Sequence, residues 1–366
     1  MAKERTKIDS FLLCLIILFL LLGFLILFSV SASISQREFN EPYYYLRHQL
    51  LFGLAPGIIL CFLALKCPLK KLEKWSHYFL LGNILLLLLL FVTGPGLSVS
   101  GAKRWIKLGP ISFQPSEFLK VTLLLYVAAW LNKKSKKEKR KKETLICFCL
   151  ILSLIAAILI FQPDISTLLI VVFGVVMIYF LSETPFQYTL LIIGVGIASF
   201  SFLANSKMYR LKRLLIFINP DLDPMGMGYQ VKQTLITIGS GGLWGKGLGL
   251  SKQKFGFLPN VLTDTIFAAF CEEAGFFGGI ILIALFLLLF ARVFWLVKKK
   301  NDLFAKSLAI GLVGAIVAQA FLNITSMIGL VPLTGTPLPF ISYGGSHMVS
   351  ELISLGIILN ISKNAV

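Results

Sequence analysis

Charged side chains stand inside stretches that are otherwise solidly apolar, and these are the residues of this 366-residue chain that could do chemistry. Glu117 and Lys120 are three apart, so on a helix they share a face and can pair. Gln162-Pro163-Asp164 introduces a second apolar stretch, and Thr263-Asp264 opens a third that carries Glu272-Glu273 two turns further on. His347 and Glu351 lie four apart in the last one. An ionisable group at membrane depth costs at least ~2.5–3.5 kcal/mol and marks function by default. Each group also has a structural reading. Asp164 and Asp264 suit helix N-caps, Glu117 with Lys120 an intramembrane ion pair, Glu272 and Glu273 contacts between helices, and His347 with Glu351 a satisfied polar pair. What favours function is coincidence: several carboxylates and a lysine begin near the ends of spans, on the side that also carries two basic loops. Lys103, Arg104 and Lys107 lie in one, and Lys207, Arg210, Lys212, Arg213, Lys232, Lys246, Lys252 and Lys254 in the other. A long loop tolerates charge, so simple solvation is one reading of this surplus; an anionic ligand on that face is the other, favoured because the short first loop has no need of three cations.

The elements that must position these groups are set by composition. Apolar residues make up 57% of the chain and Asp, Glu, Lys and Arg only 14%, against ~25% in an ordinary soluble domain. This excludes a soluble enzyme and a disordered chain, and solid apolar runs exclude an outer-membrane barrel, whose strands alternate. The expectation is an all-α polytopic membrane protein with ten transmembrane helices, near 11–33, 48–65, 76–92, 114–131, 144–161, 165–182, 186–204, 264–296, 304–330 and 340–361. A large extracytoplasmic loop, 205–262, falls between helices 7 and 8.

Lysines fix the orientation. Lys66, Lys70, Lys71 and Lys74, the run from Lys133 to Lys142, and Lys298-Lys299-Lys300 all fall on one side, which the positive-inside rule makes cytoplasmic, with both termini. The net charge of +18 is thus spread over span ends, where it meets membrane lipids, and forms no nucleic-acid-binding module. The 205–262 loop is longer than a connector needs and should hold short amphipathic or re-entrant helices. Its glycine run from Gly239 to Gly247 lacks the spacing and the Ser/Thr of a nucleotide-phosphate loop. No nucleotide is expected on that side. The six cysteines lie mostly in apolar runs and form no CxxC pair.

At this level of detail the chain resembles the SEDS family (shape, elongation, division and sporulation proteins, among them FtsW, RodA and SpoVE). The resemblance rests on Gly101-Ala102-Lys103-Arg104-Trp105 with Phe113-Gln114-Pro115-Ser116-Glu117, on Gln162-Pro163-Asp164, and on Phe257-Leu258-Pro259 with Thr263-Asp264 and Glu272-Glu273-Ala274-Gly275. Its most specific part is Thr336-Pro337-Leu338-Pro339-Phe340-Ile341-Ser342-Tyr343-Gly344-Gly345-Ser346. Asn219-Pro220-Asp221 and Ser251-Lys252-Gln253-Lys254-Phe255 look more like the division branch, FtsW, than the elongation branch. The chain departs from the family pattern at Ser166, where glycine is usual, and at Asn260, Leu262 and Thr265, where Glu, His and Phe are usual. Glu351 is not expected from the family either.

The resemblance implies an inverting peptidoglycan glycosyltransferase that polymerises lipid II on the outer face of the cytoplasmic membrane. Its implied partners are a class B penicillin-binding protein and divisome regulatory membrane proteins. Asp264 aligns with the family's essential aspartate and would be the base that deprotonates the acceptor hydroxyl. Lys103, Arg104, Lys107, Arg210, Arg213 and Lys254 would hold the departing pyrophosphate, with a divalent cation (Mg or Mn) as cofactor. Asp264, Asp164 and Glu117 are its candidate ligands. Glu117, Lys120, Gln162 and Asp164 would form a supporting network, and Pro259, Ser342, Gly344, Gly345 and Ser346 would line the substrate. Composition alone fits equally a flippase that moves lipid II without chemistry, and the altered residues around Asp264 also suit a divisome scaffold.

Overall fold

The computed structural model describes residues 8–92, 96–99, 102–109, 111–135, 141–181, 194, 208–298 and 300–363. Its helices are α1 (Ser10–Phe39), α2 (Tyr44–Gln49), α3 (Ala55–Lys66), α4 (Leu69–Val92), α5 (Pro115–Ser135), α6 (Lys141–Phe161) and α7 (Ile165–Phe180). They continue with α8 (Met208–Ile218), α9 (Met227–Ser240), α10 (Ile266–Lys298), α11 (Leu303–Met327) and α12 (Gly345–Ser362). A π-helical turn, Leu50–Leu54, makes α2 and α3 one continuous rod. The 186–204 span expected from the sequence lies, except for Gly194, outside the described residues. Among the described residues, four stretches are long and apolar enough to cross a membrane: Ser10–Phe39, Tyr44–Lys66, Ile266–Lys298 and Leu303–Met327.

α11 is the hub. It buries most of its length, and Gly174 of α7 and Gly311 of α11 let those two backbones approach until a Cβ on Gly174 would stand 3.1 Å from the Gly311 carbonyl. Small residues at a crossing replace the hydrophobic drive that lipid cannot supply. Exposed apolar side chains such as Leu21, Ile59, Leu85 and Ile281 cover the outside of the bundle.

α1 and α10 are clamped to each other at two levels. At one, Asp9 caps α1 and accepts from Arg292, Nε to Oδ1 at 3.1 Å. At the other, Glu273 accepts from Ser29 of α1 and from Lys254, 3.0 Å away. The rise of an α-helix separates Asp9 from Ser29 by about 30 Å, the thickness of a bilayer's hydrocarbon core. α10 runs on beyond the second clamp for about two further turns to its first residue, Ile266.

α10 is broken at Gly275, where φ is 71°. The break frees main-chain groups, and the glycine loop after α9 takes them up. Lys246 and Gly247 donate to the Glu272 and Glu273 carbonyls, both at 3.0 Å, while Phe276 donates to Gly242 O at 2.9 Å. A Cβ on Gly275 would come within 2.3 Å of the Gly245 nitrogen. The glycines that imitate a phosphate loop thus serve close backbone contact. Trp244 follows the same path onto α10, its ring 4.8 Å from that of Phe277.

The loop before α5 was not expected to hold strands. It forms an antiparallel meander, β1 (Gly96–Val99), β2 (Ala102–Leu108) and β3 (Ile111–Phe113), in the order β1-β2-β3. Ile106 pairs with Phe113, and Gly109 makes the turn between β2 and β3 with φ 63°. This fixes Arg104 over the α6–α7 junction.

Candidate active site

Asp264 sits two residues before α10, in the turn 258–265, and does not cap the helix. Thr265 does so instead, its carbonyl accepting from Ala268 at 3.1 Å. The turn is organised by Asn260, at φ 52°, whose carbonyl accepts from the main-chain nitrogens of Thr263, Asp264 and Thr265. Asparagine adopts this left-handed conformation more readily than most residues. Thr265 ties the turn shut by donating to the Pro259 carbonyl at 2.7 Å.

The Asp264 side chain is half-buried. Burial pushes its carboxyl up from the ordinary aspartate range, while a hydrogen bond from Thr263 and the positive charges of Arg213 and Arg104 pull it back. Arg213 comes from α8 and donates to the Leu333 carbonyl at 3.1 Å. Arg104 comes from β2 and donates to the carbonyls of Gln162 (3.2 Å) and Pro163. One carboxylate with two guanidiniums is an arrangement that can take a proton from a neutral group and stabilise an anion beside it.

Opposite the turn lies a strap, residues 331–344, whose polar main-chain groups are captured by side chains from several helices. Ser166 of α7 donates to Thr334 O (2.7 Å), and Asn323 of α11 to both Thr336 O (2.6 Å) and Asp264 O (2.7 Å). Gln319, one turn away on α11, donates to Pro337 O at 3.0 Å, and Glu351 of α12 accepts from Phe340 N at 2.8 Å. The strap also grips the turn directly: Ser342 Oγ donates to Thr263 O at 2.5 Å and Tyr343 N to Leu262 O at 2.8 Å. Gly335, at φ 67°, leaves space where a Cβ would stand 3.5 Å from Asp264 Oδ2.

The remaining sequence candidates divide by location. Gly344 donates to Gln49 Oε1 (3.0 Å), Gly345 lies against the Phe52 carbonyl, and Ser346 bridges Ser112 O and Gln114 N. Gln162 Nε2 reaches Leu87 O at 3.2 Å. Asp164 does cap α7, through Thr167 N, and accepts from Ser116 Oγ at 2.9 Å. Lys254 is not brought to Asp264. It is 4% exposed, and its ammonium is taken by Glu273, Ser29 O and Gly249 O. Lys246 likewise pairs with the fully buried Glu272, at 2.6 Å. The side chains of Lys103, Lys107 and Arg210 lie outside the described residues, although their backbones belong to β2 and α8.

Glu117 and Lys120 pair at 2.7 Å inside the bundle. Lys120 also donates to Gln319 at 2.6 Å, and His347 stands 2.9 Å from both Glu117 and Glu351. A cavity of about 20 Å³ beside this network is lined by Lys120, Gln319, Ser350, Glu351 and Ser354 together with apolar side chains. That is room for about one water, so no sugar binds there. The implied divalent cation finds no cage. Among the described residues no three His, Cys, Asp or Glu side chains are arranged to hold a metal ion: Glu117, His347 and Glu351 meet, but each ring nitrogen of His347 is already against a carboxylate, and Asp264 and Asp164 face other partners.

A family model described as "Cell cycle protein", covering FtsW, RodA and SpoVE, matches residues 9–366. The chain belongs to the FtsW/RodA/SpoVE family. It is 33% identical to stage V sporulation protein E of Bacillus subtilis, over 99% of each chain. It is 34% identical to the probable peptidoglycan glycosyltransferase FtsW of Geobacter sp. strain M18, over 97% of this chain and 96% of that one. Among solved structures it resembles the rod shape determining protein RodA of Thermus thermophilus, with TM-score 0.72 and 28% identity over 98% of each chain. A chain from a structure described as "Structural coordination of polymerization and crosslinking by a peptidoglycan synthase complex" gives TM-score 0.78 at 28% identity, covering 97% of this chain and 98% of that one. As a member of the FtsW/RodA/SpoVE family the chain is a polytopic helical membrane protein.

Three of its departures from the family pattern have local structural work. Ser166 holds the strap, Asn260 takes the left-handed turn position, and Thr265 closes the turn. Charge and motif spacing do not single out the anchors Asn323 and Gln319. Their signal was present as two amides four residues apart in an apolar helix, where polar groups are costly unless partnered.

Proposed function

We propose that this chain is a peptidoglycan glycosyltransferase of the division branch, joining lipid II units into β-1,4 glycan for septal wall synthesis. The single observation that carries the reading is Asp264, half-buried beside two arginines in a turn whose main chain is fixed from α11 and the strap. Relatives named as probable peptidoglycan glycosyltransferases supply the reaction class.

The acceptor is a sugar hydroxyl, a weak nucleophile until its proton leaves. Asp264 takes that proton as the new C–O bond forms at the donor's anomeric carbon. The bond to the lipid pyrophosphate breaks on the opposite face, so the α-linked donor becomes a β-linked product. The pyrophosphate departs with the bonding electrons and develops negative charge. Arg104 and Arg213 are fixed before the reaction and meet that charge without reorganising.

Ten crossings put both termini in the cytoplasm. The lysine-rich links between α3 and α4, between α5 and α6, and after α10 then lie inside. Asp264 faces outward, at the end of α10 beyond the Glu273 clamp. A class B penicillin-binding protein, cross-linking the product, is the partner, and divisome regulators act on the pair.

The test uses the purified full chain in lipid nanodiscs with lipid II and a divalent cation, with and without the penicillin-binding protein. Glycan polymer that disappears in Asp264→Ala supports the reading. Polymer that persists undiminished in Asp264→Ala removes the base assignment.

A further inference from the structure

His347 and Glu351 have no place in the chemistry above, yet each is only 3% exposed and both carry chemistry-bearing groups into the centre of the bundle. A buried ionisable pair is costly, so its partners show what it does. Glu351 uses its two oxygens differently. Oε1 lies 2.9 Å from His347 Nε2, and Oε2 accepts from the main-chain nitrogen of Phe340 at 2.8 Å. His347 Nδ1 in turn lies 2.9 Å from Glu117, which pairs with Lys120. Lys120 reaches Gln319, and Gln319 holds the Pro337 carbonyl. The network therefore grips the strap twice, three residues apart, at a carbonyl and at an N–H.

We propose that His347 and Glu351 are positioning residues for Asp264, acting through Phe340. The Phe340 nitrogen is held only two residues before Ser342, which donates to the Thr263 carbonyl, and three before Tyr343, which donates to Leu262. Those two carbonyls bracket the residue immediately before Asp264. Phe340 itself is in the left-handed region at φ 65°, a costly conformation for a bulky side chain that persists only when its surroundings impose it. The Glu351 carboxylate is one of those impositions. The Phe340 ring is wedged against Phe19 of α1, 5.4 Å between centroids, and its carbonyl lies where a Cβ on Gly23 would clash at 2.2 Å. Both sides of the residue are thus fixed, and the strap presents one shape to the turn.

This inference rests on the glycosyltransferase reading for its kinetic readout, so the experiment adds one that does not. Glu351→Gln keeps an oxygen that can accept from Phe340 N. Glu351→Ala removes it, and Glu351→Asn keeps a polar group one methylene too short. All three are made in the full chain in nanodiscs and compared with wild type for kcat, KM for lipid II, thermal unfolding and hydrogen exchange of segments 258–266 and 333–345. The expected result is a 10- to 100-fold fall in kcat for Ala and Asn with KM within about twofold, rescue by Gln to within about threefold, and faster exchange of both segments in Ala and Asn alone. If Ala does not fold, Asn carries the comparison.

Two results overturn the inference while leaving the reading intact: wild-type kcat and exchange in folded Ala or Asn variants, or a Gln variant as impaired as Ala. If wild-type protein makes no polymer even with its partner, the reading fails instead. The exchange pattern then decides the positioning claim alone, and unchanged exchange rejects it.

Discussion

A single nitrogen of Asn323 serves two carbonyls, that of Asp264 at 2.7 Å and that of Thr336 at 2.6 Å, so one side chain of α11 joins the turn carrying the carboxylate to the strap facing it. Asn323 is fully buried. Removing it strands both carbonyls at a cost of ~1–3 kcal/mol each if they stay dry. Asn323→Ala is expected to lower thermal stability and to reduce kcat about tenfold or more at little change in KM. Thermal unfolding and polymerisation kinetics on the same preparation check both.

The charges around Asp264 give a pH prediction. Burial raises its pKa, and Arg213 and Arg104 lower it. A base works only when ionised, so polymerisation falls as pH drops through that pKa. Replacing Arg213 by Ala removes a lowering influence. The acid limb of the kcat profile should then move to higher pH, with a lower plateau because the leaving group loses a counter-charge. A limb that moves to lower pH, or not at all, contradicts this electrostatic account.

Lys254 and Glu273 form a buried pair at 3.0 Å that ties the glycine loop to α10 and α1. Breaking such a pair leaves a buried charge and typically costs 3–5 kcal/mol, whereas replacing both members by apolar residues is often nearly neutral. Lys254→Met is therefore expected to destabilise strongly, and Lys254→Met with Glu273→Leu to recover most of the loss. Thermal unfolding of the two variants distinguishes this structural role from a pyrophosphate contact, which the second substitution would not restore.

Gly275 should be intolerant. Alanine there meets the Gly245 nitrogen at 2.3 Å and takes a left-handed φ of 71°. Gly275→Ala is expected to lose at least ~1–3 kcal/mol. Gly82, within α4, has nothing within 4 Å of its missing Cβ. Gly82→Ala should be neutral or stabilising by up to ~1 kcal/mol. Parallel melts in one detergent test the contrast.

Much of this architecture is legible in the sequence because membranes make the code simple: apolar length gives a helix, and lysines mark its ends. Glu117 with Lys120, and the cap at Asp164, follow from spacing alone. The short meander at 96–113 does not, because its strands are few-residue segments inside a loop read for charge. Nor does the fate of Lys254, since a lysine in a basic loop reads as a free cation until its partner on α10 is in view. The use of Gly245 against Gly275 depends on two segments 30 residues apart in sequence meeting backbone to backbone. Asn323 and Gln319 are visible as amides in an apolar helix, but only the fold gives the carbonyls they hold.

The most direct test of the central claim is polymerisation of lipid II by Asp264→Asn, a change that keeps the size of the side chain and removes its ability to take a proton. Folded protein, verified by its melting curve, should bind lipid II as wild type does and form glycan at a rate lower by ~10²–10⁴. Wild-type polymerisation by that variant would contradict the account.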